Sequence, residues 1–424
     1  MPNAGTRSIN CRESEVNMSH PFKDYPGGDR IMPMTQMDLE NARVFLRVDF
    51  NVPINADGTV GDDTRIRAAI PTIRYLREKR ARIVCASHLG RPNGKRNNKE
   101  SLEPVAARLS ELLESDITFA DDCIGTNVVR KSIELKPGEI LVLENLRFHD
   151  GEEKNSPEFS HKLAELCDVY INDAFGTCHR AHASTAGLPS IMKKKGAGLL
   201  LEKEIQALSQ LIHNPDRPLM AILGGSKVKD KAKVIESLLV KSSKIFIGGA
   251  MAYTFLRALK VQTGTSRVET DLIGLAEKIL ERSEKAKCKI LLPVDHVTGE
   301  SFDHPGTPQI TQNAHIPEGR MGLDIGPKTR ELYARELVGA KSIFWNGPMG
   351  VFEKPPFDAG TLAIAHAIAE LPAKSKICGG GDSVAAINQS GQAHAFTHIS
   401  TGGGASLEMI EGVPMPGIES LKKI

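Results

Sequence analysis

Basic side chains follow four strand-like stretches in the first half of the chain, where they could bind an anionic ligand. They occur in the motifs DDTRI, SHLGRP, LRFHDGEE and GTCHRAHAST, and comprise Arg65, His88, Arg91, Arg147, His179, Arg180 and His182. Guanidinium groups bind carboxylates and phosphates through paired hydrogen bonds. One such arginine is usually a solvated surface charge. Four loops at one sheet edge indicate a pocket for a small ligand that carries phosphate and carboxylate groups.

A metal site is the second interpretation of this region. His179 and His182 have the spacing H-x-x-H, and imidazole is a common zinc ligand. The sequence spaces no carboxylate or third histidine to complete such a set, so the anion pocket is the favoured interpretation.

Glycine clusters separate strand-like from helical stretches in the second half. They are Gly224–Gly225, which precede Lys227 and Lys231, then Gly248–Gly249 and Gly379–Gly381. Glycine lets backbone amides approach a ligand closely, and a helix N-terminus favours anions. The pattern fits nucleotide phosphates, although close packing of a helix on a strand explains each cluster about as well. The sequence contains neither a Walker A motif nor G-x-G-x-x-G after a strand.

Asp382 follows the third glycine cluster, at the predicted start of a helix. A carboxylate there would repel phosphates unless a cation lay between them. Mg²⁺ is commonly held by one or two carboxylates together with substrate phosphates. The alternative is that Asp382 or Ser383 is the N-cap of the helix.

The stretch VFLRVDFNVP, residues 44–53, shows how a strand could present such groups. Its apolar residues alternate with Arg47, Asp49 and Asn51, as in a half-buried strand. The polar face is either solvated or lies at the carboxyl end of a parallel strand, where ligands bind in α/β folds.

Strand-like runs alternate with helical patterns in both halves, which predicts α/β architecture with parallel sheets. In the first half the helical patterns cover Thr64–Glu78, Leu102–Glu114 and Glu158–Leu166. A helix from about Leu199 to Leu211 is predicted to join two domains, with a hinge around Pro189–Leu201. The length of 424 residues also favours more than one domain.

Composition excludes several classes of protein. The net charge of +2 gives no global attraction to nucleic acid, and no apolar run is long enough to span a membrane. Seven scattered cysteines without a C-x-x-C motif indicate a reduced protein, for which we expect a cytoplasmic location.

The domain boundaries follow from these patterns. Residues 1–36 are polar and lack apolar periodicity, so they are predicted to be a disordered N-terminal extension. The N-terminal domain is expected over residues 37–198 and the C-terminal domain over residues 199–410. Residues 411–424 form a tail that could return to the N-terminal domain.

Eight motifs in one order resemble the phosphoglycerate kinase family from about Met37 to the C-terminus. They are RVFLRVDFNVP, SHLGRP, LENLRF, DAFGTCHRAHAST, LGGSKVKDK, WNGPMGVFE, GGGDS and STGGGASLE. The resemblance implies two Rossmann-like parallel-sheet domains that face each other across a hinged cleft. It implies reversible phosphoryl transfer from 1,3-bisphosphoglycerate to ADP, giving 3-phosphoglycerate and ATP, in glycolysis and gluconeogenesis. Mg²⁺ would accompany the nucleotide, and the protein would be a monomer.

Residue roles are also implied by the resemblance. The triose-binding set is Asp49, Phe50, Asn51, Arg65, His88, Leu89, Gly90, Arg91, Arg147 and Arg180. The nucleotide-binding set is Lys227, Lys231, Gly248, Gly322, Leu323, Asn346, Pro348, Val351, Glu353, Gly380, Gly381, Asp382 and Ser383. Of these, Arg65, Lys227 and Gly381 would be catalytic, Glu353 would bind the ribose, and Asp382 would bind the metal.

The chain departs from the usual family pattern in three features: the first 36 residues, Arg320 where a tryptophan is common, and Cys178 where an alanine is usual. Two rival functions are weighed against the resemblance. A nicotinamide-dependent dehydrogenase would require the missing G-x-G-x-x-G motif. A non-catalytic two-domain binding protein would give no reason for Lys227 and Arg65 to face each other.

Overall fold

The computed structural model describes residues 20–423. Residues 1–19, the first part of the predicted extension, lie outside that range. Within it, every helix is too short or too polar to cross a bilayer.

A parallel sheet of six strands organises the first half of the described chain. In chain order the strands are β1 (Arg43–Arg47), β2 (Arg82–Ala86), β3 (Thr118–Phe119), β4 (Ile140–Val142), β5 (Val169–Asn172) and β6 (Lys195–Ala197). Their order in the sheet is β3-β4-β2-β1-β5-β6. Because all strands run the same way, the loops that follow β1, β2, β4 and β5 meet at one edge.

Helices cover both faces of this sheet, as expected where the strands are apolar on both sides. They are α1 (Thr64–Glu78), α2 (Glu103–Leu113), α3 (Thr126–Glu134), α4 (Asp150–Glu153), α5 (Pro157–Ala164), α6 (Leu188–Ile191) and α7 (Leu199–His213). The first has the bounds that the sequence predicts, because its apolar residues recur at helical spacing and are buried.

The second half repeats this architecture. Its strands are β7 (Leu219–Leu223), β8 (Lys244–Ile247), β9 (Lys289–Leu291), β10 (His296–Gly299), β11 (Gln309–Ile310), β12 (Met321–Ile325), β13 (Ser342–Asn346), β14 (Ser375–Cys378) and β15 (His398–Ile399). Six of them form a second parallel sheet in the order β15-β14-β13-β7-β8-β9. The other three form a small antiparallel sheet, β11-β10-β12, that the sequence analysis does not predict.

The helices of the second half alternate with these strands. They are α8 (Ala232–Leu239), α9 (Met251–Ala258), α10 (Ile273–Lys285), α11 (Pro327–Leu337), α12 (Ala359–Glu370), α13 (Gly381–Ser390), α14 (Gly404–Glu411) and α15 (Pro416–Glu419).

Helix α7 connects the halves and is anchored in both. Asp173, directly after β5, accepts hydrogen bonds from the backbone N–H groups of Leu200 (2.9 Å) and Leu201 (3.1 Å). At the other side, the buried Glu204 carboxylate lies 2.7 Å from Nε2 of His398 on β15. The helix is therefore held at its first turn by the first sheet and along its length by the second.

The prediction of a disordered extension is wrong for residues 20–36. Phe22 and Ile31 are each only 1% exposed and belong to a hydrophobic core cluster. The backbone N–H of Ala197 on β6 donates to the carbonyl of Met32 at 2.9 Å. These apolar residues are too few and too irregularly spaced to give a periodic pattern, but they fill a gap beside β6.

The C-terminal tail packs on the first half. The backbone N–H of Gly417 donates to the carbonyl of Cys178 at 2.8 Å. The hydroxyl of Tyr25 donates to the Glu419 carboxylate at 3.0 Å. The chain thus crosses between its halves a second time after β15, and its two terminal segments contact each other.

The cysteines of the described range are unpaired and buried. They are Cys85, Cys123, Cys167, Cys178, Cys288 and Cys378. Cys11 lies outside the described residues.

Candidate functional site

The loops after β1 and β2 meet the first turn of α1 around Asp49. The Arg65 guanidinium donates to Oδ2 of Asp49 at 3.3 Å and to the carbonyl of Asn51 at 3.0 Å. Nδ1 of His88 lies 4.0 Å from the other Asp49 oxygen. Three of the predicted site residues from separate loops are therefore neighbours.

A second set of contacts adds the loop after β4. The side-chain oxygen of Asn51 accepts a hydrogen bond from the backbone N–H of Gly90 at 2.9 Å. The buried Arg147 guanidinium donates to the Gly90 carbonyl at 2.7 Å. Gly90 has a φ of 62°, and a Cβ there would lie 2.0 Å from the Glu100 carboxylate. The positive φ therefore favours glycine at the point where the loops cross.

The remaining predicted triose-binding residues are arranged differently. The side chains of Phe50 and Leu89 are 1% and 3% exposed and pack in the core, so only their backbone could contact a ligand. Arg91 is exposed, and its backbone N–H donates to the Glu100 carboxylate at 2.7 Å. Arg180 follows β5 and is half-buried.

A buried polar network beneath these loops is missing from the predicted set. Arg47 on β1 is fully buried, and its Nε donates to Oγ of Ser184 at 2.8 Å. The buried Glu152 carboxylate accepts from the Ser184 backbone N–H at 2.9 Å, and burial raises the pKa of Glu152. Nη2 of Arg47 also lies 3.3 Å from Nδ1 of His88. The polar face of residues 44–53 is a sequence feature that could have identified Arg47. The acidic run DGEE contains no feature that separates Glu152 from its acidic neighbours.

Electrostatics in this cluster keep the imidazoles neutral. Burial and the nearby Arg47 and Arg147 guanidinium groups hold the pKa of His88 well below its usual value. Burial, with the same two arginines, lowers the pKa of His182 to about 3. The positive charge near pH 7 therefore resides on the arginines, which suits an anionic ligand.

Among the described residues, His179 and His182 do not belong to a group of three potential metal ligands, although Oε1 of Glu152 lies 3.9 Å from Nδ1 of His182. In the part of the chain that the structure describes, the cluster of potential metal ligands lies elsewhere, at Asp122, Cys123 and His149.

Residues of the first and third glycine clusters of the second half line a cavity of about 260 Å³. Its lining includes Gly224, Gly225, Lys227, Lys231, Asn346, Pro348, Gly380, Gly381, Asp382 and Ser383. Gly224 approaches the loop after β13 so closely that a Cβ would lie 2.0 Å from the Pro348 carbonyl. The predicted nucleotide residues from three strand ends are thus brought together.

Helix α13 points its first turn into this cavity. The N-cap interpretation of Asp382 and Ser383 is wrong, because the N-cap is Gly380, with a φ of 100°. Asp382 lies one residue inside the helix and is exposed, while Oγ of Ser383 accepts from the backbone N–H of Gly347 at 2.5 Å. A glycine cap leaves the first backbone N–H groups open to an anion.

The two lysines of the cavity have different surroundings. Lys227 is exposed, whereas Lys231 is half-buried at the N-cap of α8. Burial lowers the pKa of Lys231 to about 8, against the opposing effect of Asp230 and Asp382. Lys231 is therefore a cation whose charge is sensitive to mildly alkaline pH.

A larger cavity of about 640 Å³ adjoins the first. Gly322, Leu323, Pro348, Val351 and Glu353 line it, as the sequence predicts. Gly249 lines it in place of the predicted Gly248, where a Cβ would instead lie 2.5 Å from the sulfur of Met349. Sequence reasoning missed the further lining residues Tyr253, Arg267, Phe302, Met321 and Phe352.

A third cavity, of about 680 Å³, lies between the two halves. Asn51 and Arg65 line it from the first half, and Gly381 and Gly403 line it from the second. Gly381 and Gly403 also line the 260 Å³ glycine cavity. Lys227 lines the glycine cavity but not the cavity between the halves. The cleft therefore runs from Arg65, which is paired with Asp49, to the first residue of α13.

Comparisons with known proteins agree with this geometry. Residues 34–413 match the family model described as "Phosphoglycerate kinase". A phosphoglycerate kinase of Anaeromyxobacter sp. (strain Fw109-5) is 53% identical over 388 residues, which cover 91% of this chain and 98% of that relative. A phosphoglycerate kinase of Koribacter versatilis (strain Ellin345) is 51% identical and covers 92% of this chain, with 98% of its own length matched.

Solved structures give the same result. The phosphoglycerate kinase of Coxiella burnetii matches with a TM-score of 0.83 and 38% identity, over 92% of this chain and 98% of that one. The phosphoglycerate kinase of Pyrococcus horikoshii OT3 matches with a TM-score of 0.81 and 36% identity, with the same coverage. The motifs, the paired parallel sheets and these relatives lead to one conclusion: the chain belongs to the phosphoglycerate kinase family.

Proposed function

We propose that this chain catalyses the reversible transfer of a phosphoryl group from 1,3-bisphosphoglycerate to ADP, giving 3-phosphoglycerate and ATP. One observation carries the proposal. A single cleft has Arg65, the cation paired with Asp49, on one wall and the first residue of the glycine-capped helix α13 on the other, which supports two anion sites for two ligands. Family membership supports the same reaction.

The first wall would bind the triose acid. Arg65, Arg147 and Arg180 would bind its carboxylate and phosphate groups, since the His88 imidazole is neutral. Asp49 would orient Arg65, with which it forms an ion pair at 3.3 Å. Further contacts would come from Asn51, Gly90, Arg91 and the backbone of Phe50 and Leu89.

The second wall would bind the nucleotide. The open N–H groups of α13 around Gly380, Gly381 and Ser383 would bind its phosphates together with Lys227 and Lys231. The apolar cavity beside Leu323 and Val351 would hold the base, Glu353 would bind the ribose hydroxyls, and Asn346 would add an amide contact.

Asp382 fits the Mg²⁺ that the family implies. Its carboxylate is exposed at the rim of the glycine cavity and makes no side-chain hydrogen bond or ion pair to any residue in the range 20–423. Carboxylate oxygen is the kind of ligand that Mg²⁺ prefers. When bound there, the metal would neutralise charge on the nucleotide phosphates.

The chemistry needs positioned charge and no general base. In the direction that consumes ATP, a carboxylate oxygen of 3-phosphoglycerate attacks the γ-phosphorus of ATP. The bond between that phosphorus and the oxygen that bridges it to the β-phosphorus breaks. The carboxylate is already ionised, so no proton moves. Arg65 and Lys227 would offset the negative charge of the phosphoryl group in transit, and the N–H groups near Gly381 would orient it.

Closure of the cleft would complete the site. The triose-binding residues all precede about residue 190, and the nucleotide-binding residues all follow about residue 220. In-line attack requires reacting atoms about 3–3.5 Å apart in a site that excludes water. A cleft open enough to admit both ligands cannot meet that distance. We therefore include in the proposal two domains, near residues 37–198 and 199–410, that close about a hinge around Pro189–Leu201.

The proposal also covers assembly and location. One chain supplies both walls of the cleft, which supports a monomer as the active unit. The free buried thiols of the described range support a reducing compartment, and we propose the cytoplasm.

The direct test supplies ATP, Mg²⁺ and 3-phosphoglycerate, couples ADP formation to NADH oxidation, and traps the acyl phosphate with hydroxylamine. We expect ADP and the hydroxamate to form together and only when 3-phosphoglycerate is present. Glycerate, which lacks the phosphate, is the matched control. ADP formation that does not depend on 3-phosphoglycerate, or that yields no hydroxamate, would contradict the proposed function.

A further inference from the structure

The 640 Å³ cavity has two chemically distinct ends. It shares Gly225, Ser226 and Asp382 with the glycine cavity, which identifies its phosphate end. Most of the other lining residues are apolar or aromatic, among them Tyr253 and Leu323, and the charged exceptions are Glu353 and Arg267. A nucleotide whose phosphates lie at α13 would therefore place its base in the apolar end.

Arg267 lines this cavity and is exposed. Its side chain makes no hydrogen bond or ion pair to any residue that the structure describes. The backbone on either side is fixed: Oγ of Ser266 accepts from the Gly322 N–H at 2.9 Å, and the Glu269 N–H donates to Oγ1 of Thr254 at 3.1 Å. A rigid loop thus presents an uncommitted guanidinium group to the cavity.

Lys354, a basic residue that contacts the cavity residue Phe302, is already engaged. Nζ of Lys354 lies 4.2 Å from the centre of the Phe302 ring and donates to the Phe302 carbonyl at 2.9 Å. Phe302 itself lines the cavity. The contact of Ser266 with Gly322 places the Arg267 loop beside Leu323, so a base at the apolar end would lie near the Arg267 guanidinium group. It would also lie near the Phe302 ring, which Lys354 contacts.

We propose that Arg267 is a base-specificity residue that recognises the edge of a purine with an oxygen at position 6. The inference rests on the proposed function, because it assumes that a nucleotide occupies the cavity. A guanidinium group pairs with the O6 and N7 acceptors of guanine through two hydrogen bonds. Adenine offers N7 but presents an amino donor at position 6, so the same group gains less from ADP.

The test compares kcat/KM for ADP, GDP and IDP in the wild type and in Arg267→Leu and Arg267→Lys. IDP has O6 and N7 but no 2-amino group, so it isolates the recognised edge. We expect Arg267→Leu to lower the GDP/ADP and IDP/ADP ratios of kcat/KM together, by roughly five- to 100-fold, the range of one paired contact. Lysine offers one point donor, so Arg267→Lys should lower both ratios by less.

Arg335→Ala is the matched control, because Arg335 is exposed on α11. It should leave both ratios unchanged, and thermal melting checks that each variant folds. The inference would be overturned if both kcat/KM ratios stayed the same in Arg267→Leu. It would also be overturned if the GDP/ADP ratio fell and the IDP/ADP ratio did not. Failure of the proposed function gives a different result, since the wild type would then show no 3-phosphoglycerate-dependent turnover with any nucleotide.

Discussion

In the proposed function, the two halves would bind anions by opposite means on the same architecture. Each is built on a parallel sheet whose strand ends face the cleft. The first half uses side-chain cations, of which Arg47 and Arg147 are almost fully buried. The second half uses backbone, since Gly380 and Gly381 begin α13 and Lys227 is exposed.

The difference separates two tasks. A buried guanidinium group in a hydrogen-bonded network is costly to move, so the first half holds a fixed arrangement of charge. Glycine-lined backbone at a helix N-terminus gives contacts that depend little on side-chain rotamers, and an exposed lysine remains mobile. We therefore expect residues near the moving phosphoryl group to govern kcat, and deeper residues of the first half to govern substrate binding.

The largest effect is expected at the two cations that approach the phosphoryl group. Lys227→Ala and Arg65→Ala should each lower kcat about 10²–10⁴-fold, because each removes positive charge where negative charge develops. Steady-state kinetics with both substrates saturating measures this. Lys233→Ala on the exposed face of α8 is the control. Near wild-type kcat in Lys227→Ala would remove that residue from the mechanism.

A large effect on stability is expected from the N-terminal segment. Phe22 is 1% exposed, so Phe22→Ala should lower the free energy of unfolding by about 3–5 kcal/mol through lost burial and a cavity. Because the segment packs on the first half, calorimetry should show that half melting earlier. Ile133→Ala, at a side chain that is 56% exposed, is the control. Equal melting of both variants would mean that the segment does not stabilise the enzyme.

A smaller effect, confined to binding, is expected at Arg180. Arg180→Ala should raise KM for 3-phosphoglycerate roughly 10- to 100-fold, the contribution of one charge-assisted hydrogen bond, with kcat changed much less. Arg130→Ala on the exposed face of α3 is the control. An equal loss in kcat would move Arg180 to the group that acts on the transition state.

A pH effect of a few-fold is expected in the second half. Burial lowers the pKa of Lys231 to about 8, so between pH 7 and 9 the free enzyme loses this charge. Phosphate binding favours the protonated form, and KM for ADP should therefore rise across that interval. Lys231→Arg keeps its charge and should flatten the profile. A profile that is identical in both proteins would assign the pH dependence to another group.

The smallest signal is expected from closure. The radius of gyration from small-angle scattering should fall by a few per cent when both ligands are present, and by less than that with either ligand alone. Full closure needs both, because Arg65 and Lys227 repel until a phosphoryl group lies between them. Apo enzyme, each binary complex and a ternary complex with a metal-fluoride mimic form the series. A constant radius in all four would rule out the hinge.

Side-chain type and strand periodicity predicted much of the first half. The bounds of α1 match because its apolar residues face one core, and Asp49, Asn51, Arg65 and His88 meet because parallel strands end together. Glu152 was missed because its importance comes from burial beside Ser184 and Arg47, which are distant in sequence.

The second half was less accessible to sequence reasoning. The glycine pattern indicates where backbone comes close to another group but does not identify that group. The resemblance implies a role for Gly248, whereas Gly249 lines the cavity. Strands β10 to β12 are short and broken by polar residues, and their antiparallel pairing depends on contacts remote in sequence. Residues 20–36 show no helical or strand periodicity, because the positions of their apolar residues are set by the surface on which they pack.

The double crossing between the halves restricts how they can move. A rigid body that is joined to another at a single point can rotate about three axes. A second point of attachment leaves only one rotation, about the line through the two points. Helix α7 and the segment from β15 to the tail are two such attachments. We expect the cleft to close along a single arc that brings the same atoms together in every cycle. Cutting the chain before residue 411 would release the other two rotations, and a wider spread of interdomain distances in pulsed electron–electron spectroscopy would reveal them.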